Sequence, residues 1–156
     1  MSAATGGVLV VGYGNELRTD DGAGPAVAAR LRDDPRLAGA DVLTAHQLTP
    51  ELAFDASRAS LLVLVDAAAD VPAGAVSVRQ LDAGGAAAGE PMTHHVDPAG
   101  IVGLAAGLFG AAPQVVLVSV GAACLDLGEG LTPVVEAAVP RAVDAVLAAI
   151  EAHRRA

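Results

Sequence analysis

Two rhythms alternate along this chain: short unbroken runs of branched apolar residues, and longer stretches whose apolar positions recur every three or four residues. "VLVVG" (8–12) is the first run, and its continuous β-branched character predicts a buried strand. Pro25 suits the first turn of a helix running to about Arg32, where "DDPR" stops it. A second strand is predicted over 40–47, and a helix over 49–58 with Thr49 as cap and Pro50 as first helical residue. "SLLVLVDAA" (60–68) is the most strand-like segment, apolar until Asp66. The alternation in "GAVSVRQL" (74–81) predicts a strand with one exposed face, and "AGGAAAGEP" (83–91) a flexible loop. A glycine-weakened helix is expected over 97–110 and another buried strand over 114–122. The last helix opens at Thr132–Pro133, carries an apolar stripe of Val139, Val143, Val146, Leu147 and Ile150, and is expected to bend at Pro140.

Buried strands alternating with helices imply an α/β fold: a three-layer sandwich around a twisted, largely parallel sheet of about five strands, flanked by helices. In such folds ligands bind outside the carboxyl ends of the strands. The polar residues that follow a strand therefore matter most: Asn15 to Asp21, His46 and Gln47, Asp66, and the loop from Cys124 to Glu129.

Composition narrows the picture. At 156 residues a single domain spanning 1–156 is expected, its first seven residues flexible. Tyr13, Phe54 and Phe109 are the only aromatics, so Val, Leu and Ala must build the core. No apolar run approaches the roughly 18–20 residues of a membrane span, and "MSAATGG" lacks the shape of a signal peptide. A soluble, cytoplasmic protein is expected. One cysteine, Cys124, excludes a disulfide framework or a thiolate zinc site within the chain. The net charge is −9, and all nine basic residues are arginines, a balance that argues against nucleic acid.

The first loop resembles a dinucleotide fingerprint only superficially. Gly12 and Gly14 fit G-x-G-x-x-G, but the third position is Leu17, and Asp20 and Asp21 bring negative charge where a phosphate would sit. The second strand lacks an acid for a ribose, and without lysine there is no phosphate-binding GK[ST] loop.

Asp21, Asp66 and the histidines of "THH" (93–95) remain as groups that could converge. Two carboxylates and one imidazole suit a borderline divalent ion such as Ni²⁺ or Zn²⁺, with positions left open for substrate or water. Structural readings stand beside this one. Asp66 could be a loop hydrogen bonder, one of Asp20 and Asp21 a helix cap, and His94 and His95 solvated. Cys124 reads as a packed small residue, His46 as a cleft or surface residue. His153, Arg154 and Arg155 read as solvated residues favourable at a helix C-terminus.

"GYGNELRTDDGAG" (12–24) resembles the G-x-G-N-x-L-x-x-D-[DE]-G-x-G signature of the [NiFe]-hydrogenase maturation endopeptidases, and matches it over all thirteen residues. "LLVLVDAA", "THHVDPAGIVGLA" and "GEGLTPVVEAAV" follow in the family's order, so the resemblance extends over about residues 8–150. It implies a protease that removes the C-terminal extension of the hydrogenase large-subunit precursor once nickel is in place. The metal-contacting residues it implies are Asp21, Asp66 and His94, with His95 as the other candidate of the doublet. Asp21 and Asp66 are then also the catalytic candidates, either as general base or beside a nickel that polarises the carbonyl or positions water. Nickel would come with the substrate and serve as recognition anchor, while zinc or cadmium could occupy the same site. No nucleic acid or membrane partner is implied, and a monomer is expected. Two other functions fit the same donors: a metallo-hydrolase with its own zinc acting on small substrates, and a non-catalytic nickel-delivery scaffold.

Overall fold

A computed structural model of the chain describes residues 7–81, 97–110 and 112–156. Along it run β1 (Gly7–Tyr13), a 3-10 turn (Thr19–Gly22), α1 (Ala23–Arg32), β2 (Ala40–Ala45), α2 (Leu52–Arg58) and β3 (Ala59–Ala68). They are followed by β4 (Val76–Leu81), α3 (Pro98–Phe109), β5 (Gln114–Gly121) and α4 (Pro133–Arg155). The strands form one five-stranded sheet in the order β2-β1-β3-β5-β4. All pairings are parallel except that of the edge strand β4 with β5. The α/β sandwich and its largely parallel sheet are therefore as the hydrophobic pattern predicts.

Continuous apolar strands are explained by burial on both faces. On β3, Leu61, Val63 and Val65 join a core with α1 and α4, while Leu62 and Leu64 join a second core with α2 and α3. β1 and β5 divide in the same way, Val8 and Val10 from Leu9 and Val11, Val116 and Val118 from Val115 and Leu117. Side chains two apart share a face. Tyr13, Asp66 and Ser119 thus continue the α2/α3 face at the carboxyl edge of the sheet, and pairing of Asp66 with Ser119 keeps them level.

Two glycines set the loop between β1 and α1 against that edge. A Cβ on Gly12 would collide with the Gly24 carbonyl and Ala28, and one on Gly24 with the carbonyls of Val65 and Tyr13. The start of α1 is thereby pressed onto the ends of β1 and β3.

Several boundaries differ from the expectations. The α2 helix starts at Leu52 because Leu52, Ala53 and Phe54 donate to Thr49, Pro50 and Glu51, tight turns of the 3-10 kind. His46 and Gln47 lie beyond β2, and β4 starts at Val76 because Gly74 has φ +77° and donates instead to the Gly121 carbonyl. The loop expected at 83–91 lies outside the described residues. Asp97 caps α3, its Oδ1 accepting from Gly100 N at 2.7 Å, and Gly110 closes that helix at φ +72°. The α4 helix continues through Pro140, whose side chain is exposed, so the helix keeps its buried stripe of Val139, Val143, Val146 and Ile150. His153 is not simply solvated: its ring bonds Ser60 Oγ and Gln114 Oε1, each at 3.0 Å, tying α4 to the amino edge of the sheet. Among the described residues no helix is long and apolar enough to cross a membrane.

Candidate active site

The loop after β1 is folded by its own short side chains. Gly14, at φ +150°, donates to the Ala45 carbonyl, and its Cα faces the Asp21 backbone so closely that a Cβ would overlap it. Asn15 Oδ1 accepts from Leu17 N at 2.9 Å, and Asn15 N donates to Asp21 Oδ2 at 2.7 Å. The second bond aims the Asp21 carboxylate back across the loop rather than along α1. Neither acid caps α1, whose N-cap residue is Gly22.

Adjacent residues point in different directions, and here the pair divides its work. Asp20 is fully buried. Its carboxylate accepts from the amides of Ala123 and Cys124 at 2.9 Å, and from the Thr132 amide at 2.8 Å and hydroxyl at 2.9–3.0 Å. Burial works to raise its pKa, but these bonds, led by the Thr132 and Cys124 amides, hold it below the usual carboxylate range. Asp20 is therefore the bolt between the first loop and the 122–132 loop at the start of α4. Cys124 contributes its peptide group to that bolt.

Asp66 ends the apolar part of β3. Its Oδ1 accepts from Ser119 Oγ at 2.6 Å and its Oδ2 from Tyr13 OH at 3.0 Å. Burial pushes the Asp66 carboxyl above its ordinary range, against the Ser119 and Tyr13 hydrogen bonds and the charge of Arg79; the Asp21 charge adds to the rise. Tyr13 is pushed up as well, first by burial, then by the charge and hydrogen bond of Asp66, and then by the charges of Asp97 and Asp21. The phenol thus bonds one carboxylate, that of Asp66, and feels the charges of two more from other elements, Asp97 and Asp21. None of the salt bridges among the described residues involves Asp21, Asp66 or Asp97. Negative charge gathered in a partly dry setting, with Arg79 acting on Asp66 from a distance but forming no ion pair, favours a cation.

Asp21 and Asp66 are accordingly brought to one end of the sheet, close enough for the Asp21 charge to act on Asp66. His94 and His95 lie outside the described residues. Among the described residues no three His, Cys, Asp or Glu side chains are grouped to hold a metal ion. Two carboxylates on their own bind a borderline cation weakly. Beside the site opens a cleft of about 260 Å³ between Asn15, Glu16, Leu17, Thr44 and His46. It places His46 in a cleft wall.

Tyr13 and Ser119 are not among the residues the sequence singles out, although each carries a signal. Tyr13 has the strand parity of Leu9 and Val11, and Ser119 is the polar interruption in "VVLVSVG".

No protein-family model matches the chain, and no curated protein matches it significantly. Solved structures do. The hydrogenase maturating endopeptidase HybD from E. coli is 26% identical with a TM-score of 0.73, over 92% of this chain and 91% of that one. The hydrogenase 2 maturation peptidase from Thaumarchaeota archaeon SCGC_AB-539-E09 is 27% identical with a TM-score of 0.69, over 92% and 97%. The [NiFe] hydrogenase maturation protease HycI from Thermococcus kodakarensis KOD1 shares the fold at 18% identity, with a TM-score of 0.68 over 94% and 91%. In its thirteen-residue loop motif, its fold and the near-complete coverage of both chains, this protein is similar to the hydrogenase maturation endopeptidases, and these likenesses support a peptidase.

Proposed function

We propose that this chain removes the C-terminal extension from a [NiFe]-hydrogenase large-subunit precursor after nickel insertion. In this reading the nickel carried by the substrate is its recognition anchor. The observation that supports it is that Asp21 and Asp66, from separate elements, lie at one end of the sheet near enough for the Asp21 charge to act on Asp66, with no ion pair to either among the described residues. A site of two carboxylates, completed by His94, holds nickel loosely enough to release the product and firmly enough to favour loaded precursor. The cut is a hydrolysis. Water oxygen adds to the scissile carbonyl, the C–N bond breaks, and the proton lost by water ends on the leaving amine. Asp66 suits the proton acceptor because burial raises the proton affinity of its carboxyl. Tyr13 and Ser119 hold that carboxylate in place, and Asn15 holds Asp21. Fixing the scissile bond beside both acids provides the proximity on which the rate depends.

The test is to incubate the purified protein with nickel-loaded and nickel-free precursor and follow cleavage by mass. Loaded precursor alone should be cut, and Asp21→Asn or Asp66→Asn should abolish the cut. Equal cleavage of both precursors would remove the nickel anchor, and undiminished activity in both variants would remove the two acids from the chemistry.

A further inference from the structure

Every residue that defines the loop motif but one has an evident task in the fold. The glycines permit close approach, Asn15 braces the turn, Asp20 bolts two loops together and Asp21 faces the site. Leu17 is the exception: its side chain is 59% exposed. It does not stand alone, because Leu127 is 79% exposed on the neighbouring loop and Leu125 is 36% exposed beside it. The two loops are joined by a parallel bridge between Arg18 and Gly128. Gly128 N donates to Leu17 O at 2.9 Å, Thr19 N to Gly128 O at 3.0 Å, and Thr19 Oγ1 to Asp126 O at 2.6 Å. Leu17 and Leu127 each precede a bridge partner, so they lie side by side. With Asp20 fastening both loops from below, these leucines are presented on a firm platform. Apolar groups fixed in this manner at the rim of a site mark an interaction surface.

We infer that Leu17, Leu125 and Leu127 form the docking surface for the precursor, which meets it with an apolar segment flanked by Lys or Arg. The inference rests on the endopeptidase reading for the identity of its occupant. Asp21 lies four residues beyond Leu17 in the same loop, and Leu17 lines the cleft beside the site, so a protein whose backbone reaches Asp21 passes next to this surface. Charge selects the flanks. Glu16, Asp126 and Glu129 are exposed around the leucines against Arg18, on a chain of net charge −9. A basic rim on the partner is attracted at a distance, and its apolar centre fills the space over the leucines.

The experiment measures precursor binding and cleavage with Leu17→Ser and Leu127→Ser, using Leu17→Met and Leu127→Met as controls that keep apolar area. Binding is measured in an Asp66→Asn background, where no cut intervenes. Each Ser variant should weaken binding roughly tenfold, as truncation of a central interface residue does, while the Met variants stay near the parent. In the otherwise native enzyme the Ser variants should raise KM and leave kcat, and added salt should weaken binding by the parent. Unchanged binding and KM in both Ser variants would overturn the inference. So would self-association of the parent protein that the Ser variants abolish while precursor binding is untouched, which would assign the surface to a second copy. Precursor that binds through the leucines but is not cleaved by the native enzyme would sink the peptidase reading and leave the docking surface standing.

Discussion

Replacing Asp20 tests whether the acidic pair is divided between structure and chemistry. Asp20→Ala removes the acceptor of three backbone amides and one hydroxyl around a carboxylate with no solvent exposure. A hydrogen bond to a charged acceptor contributes about 1.5–3 kcal/mol, but bonds to one carboxylate are not additive and water can refill part of the gap. Each buried donor left without an acceptor costs about 1–3 kcal/mol, and with partial rehydration the four together should cost about 3–5 kcal/mol in Asp20→Ala. For a chain of this size each kcal/mol lowers Tm by about 2–4 °C, so a loss of roughly 6–20 °C is expected. Asp20→Asn keeps the volume but turns an NH₂ toward amides that need an acceptor, and should cost about 1–3 kcal/mol. The assays are urea denaturation and calorimetry. Because the folded-state pKa of Asp20 is depressed, the unfolded chain binds the proton more readily. The stability Asp20 provides is therefore present above the ordinary aspartate pKa of 3.8 and lost as pH falls through the folded value. The gap between parent and Asp20→Asn should accordingly narrow on acidification. A variant within about 1 kcal/mol of the parent at neutral pH would refute the bolt.

Asp66 carries the opposite sign. Its folded-state pKa is raised, so stability is lost as pH rises from its unfolded value through the folded one, and Asp66→Asn should be at least as stable as the parent at pH 7 while cleavage is lost; a Tm several degrees lower in calorimetry would contradict this. Tyr13→Phe removes a donor that lowers the Asp66 pKa, so the acid limb of the cleavage–pH profile should move to higher pH, and a profile superimposable on the parent's would show that the 3.0 Å bond does not hold in solution.

"VLVVG" and "SLLVLV" announced strands buried on both faces because continuous branched apolar runs have few other uses in a chain rich in helical segments. Boundaries drifted where local hydrogen bonding overrode composition, as at Thr49–Pro50 and Gly74. The antiparallel edge strand β4 could not be told from a parallel one, since side-chain alternation carries no strand direction. His153 looked solvated because its partners, Ser60 and Gln114, are remote in sequence.

By itself, then, the sequence determined the alternation of elements, the three-layer architecture and the glycine-rich acidic loop, because periodicity and steric freedom are local properties written in neighbouring residues. Which aspartate of the pair became a buried bolt was decided only in three dimensions, by the amides of a loop about a hundred residues away that needed an acceptor at that point. The same holds for the Tyr13–Asp66–Ser119 arrangement, three residues from three strands levelled by register. Proton affinities and the exposure of Leu17 beside Leu127 belong with these, since burial and field depend on what packs nearby rather than on what precedes in the chain.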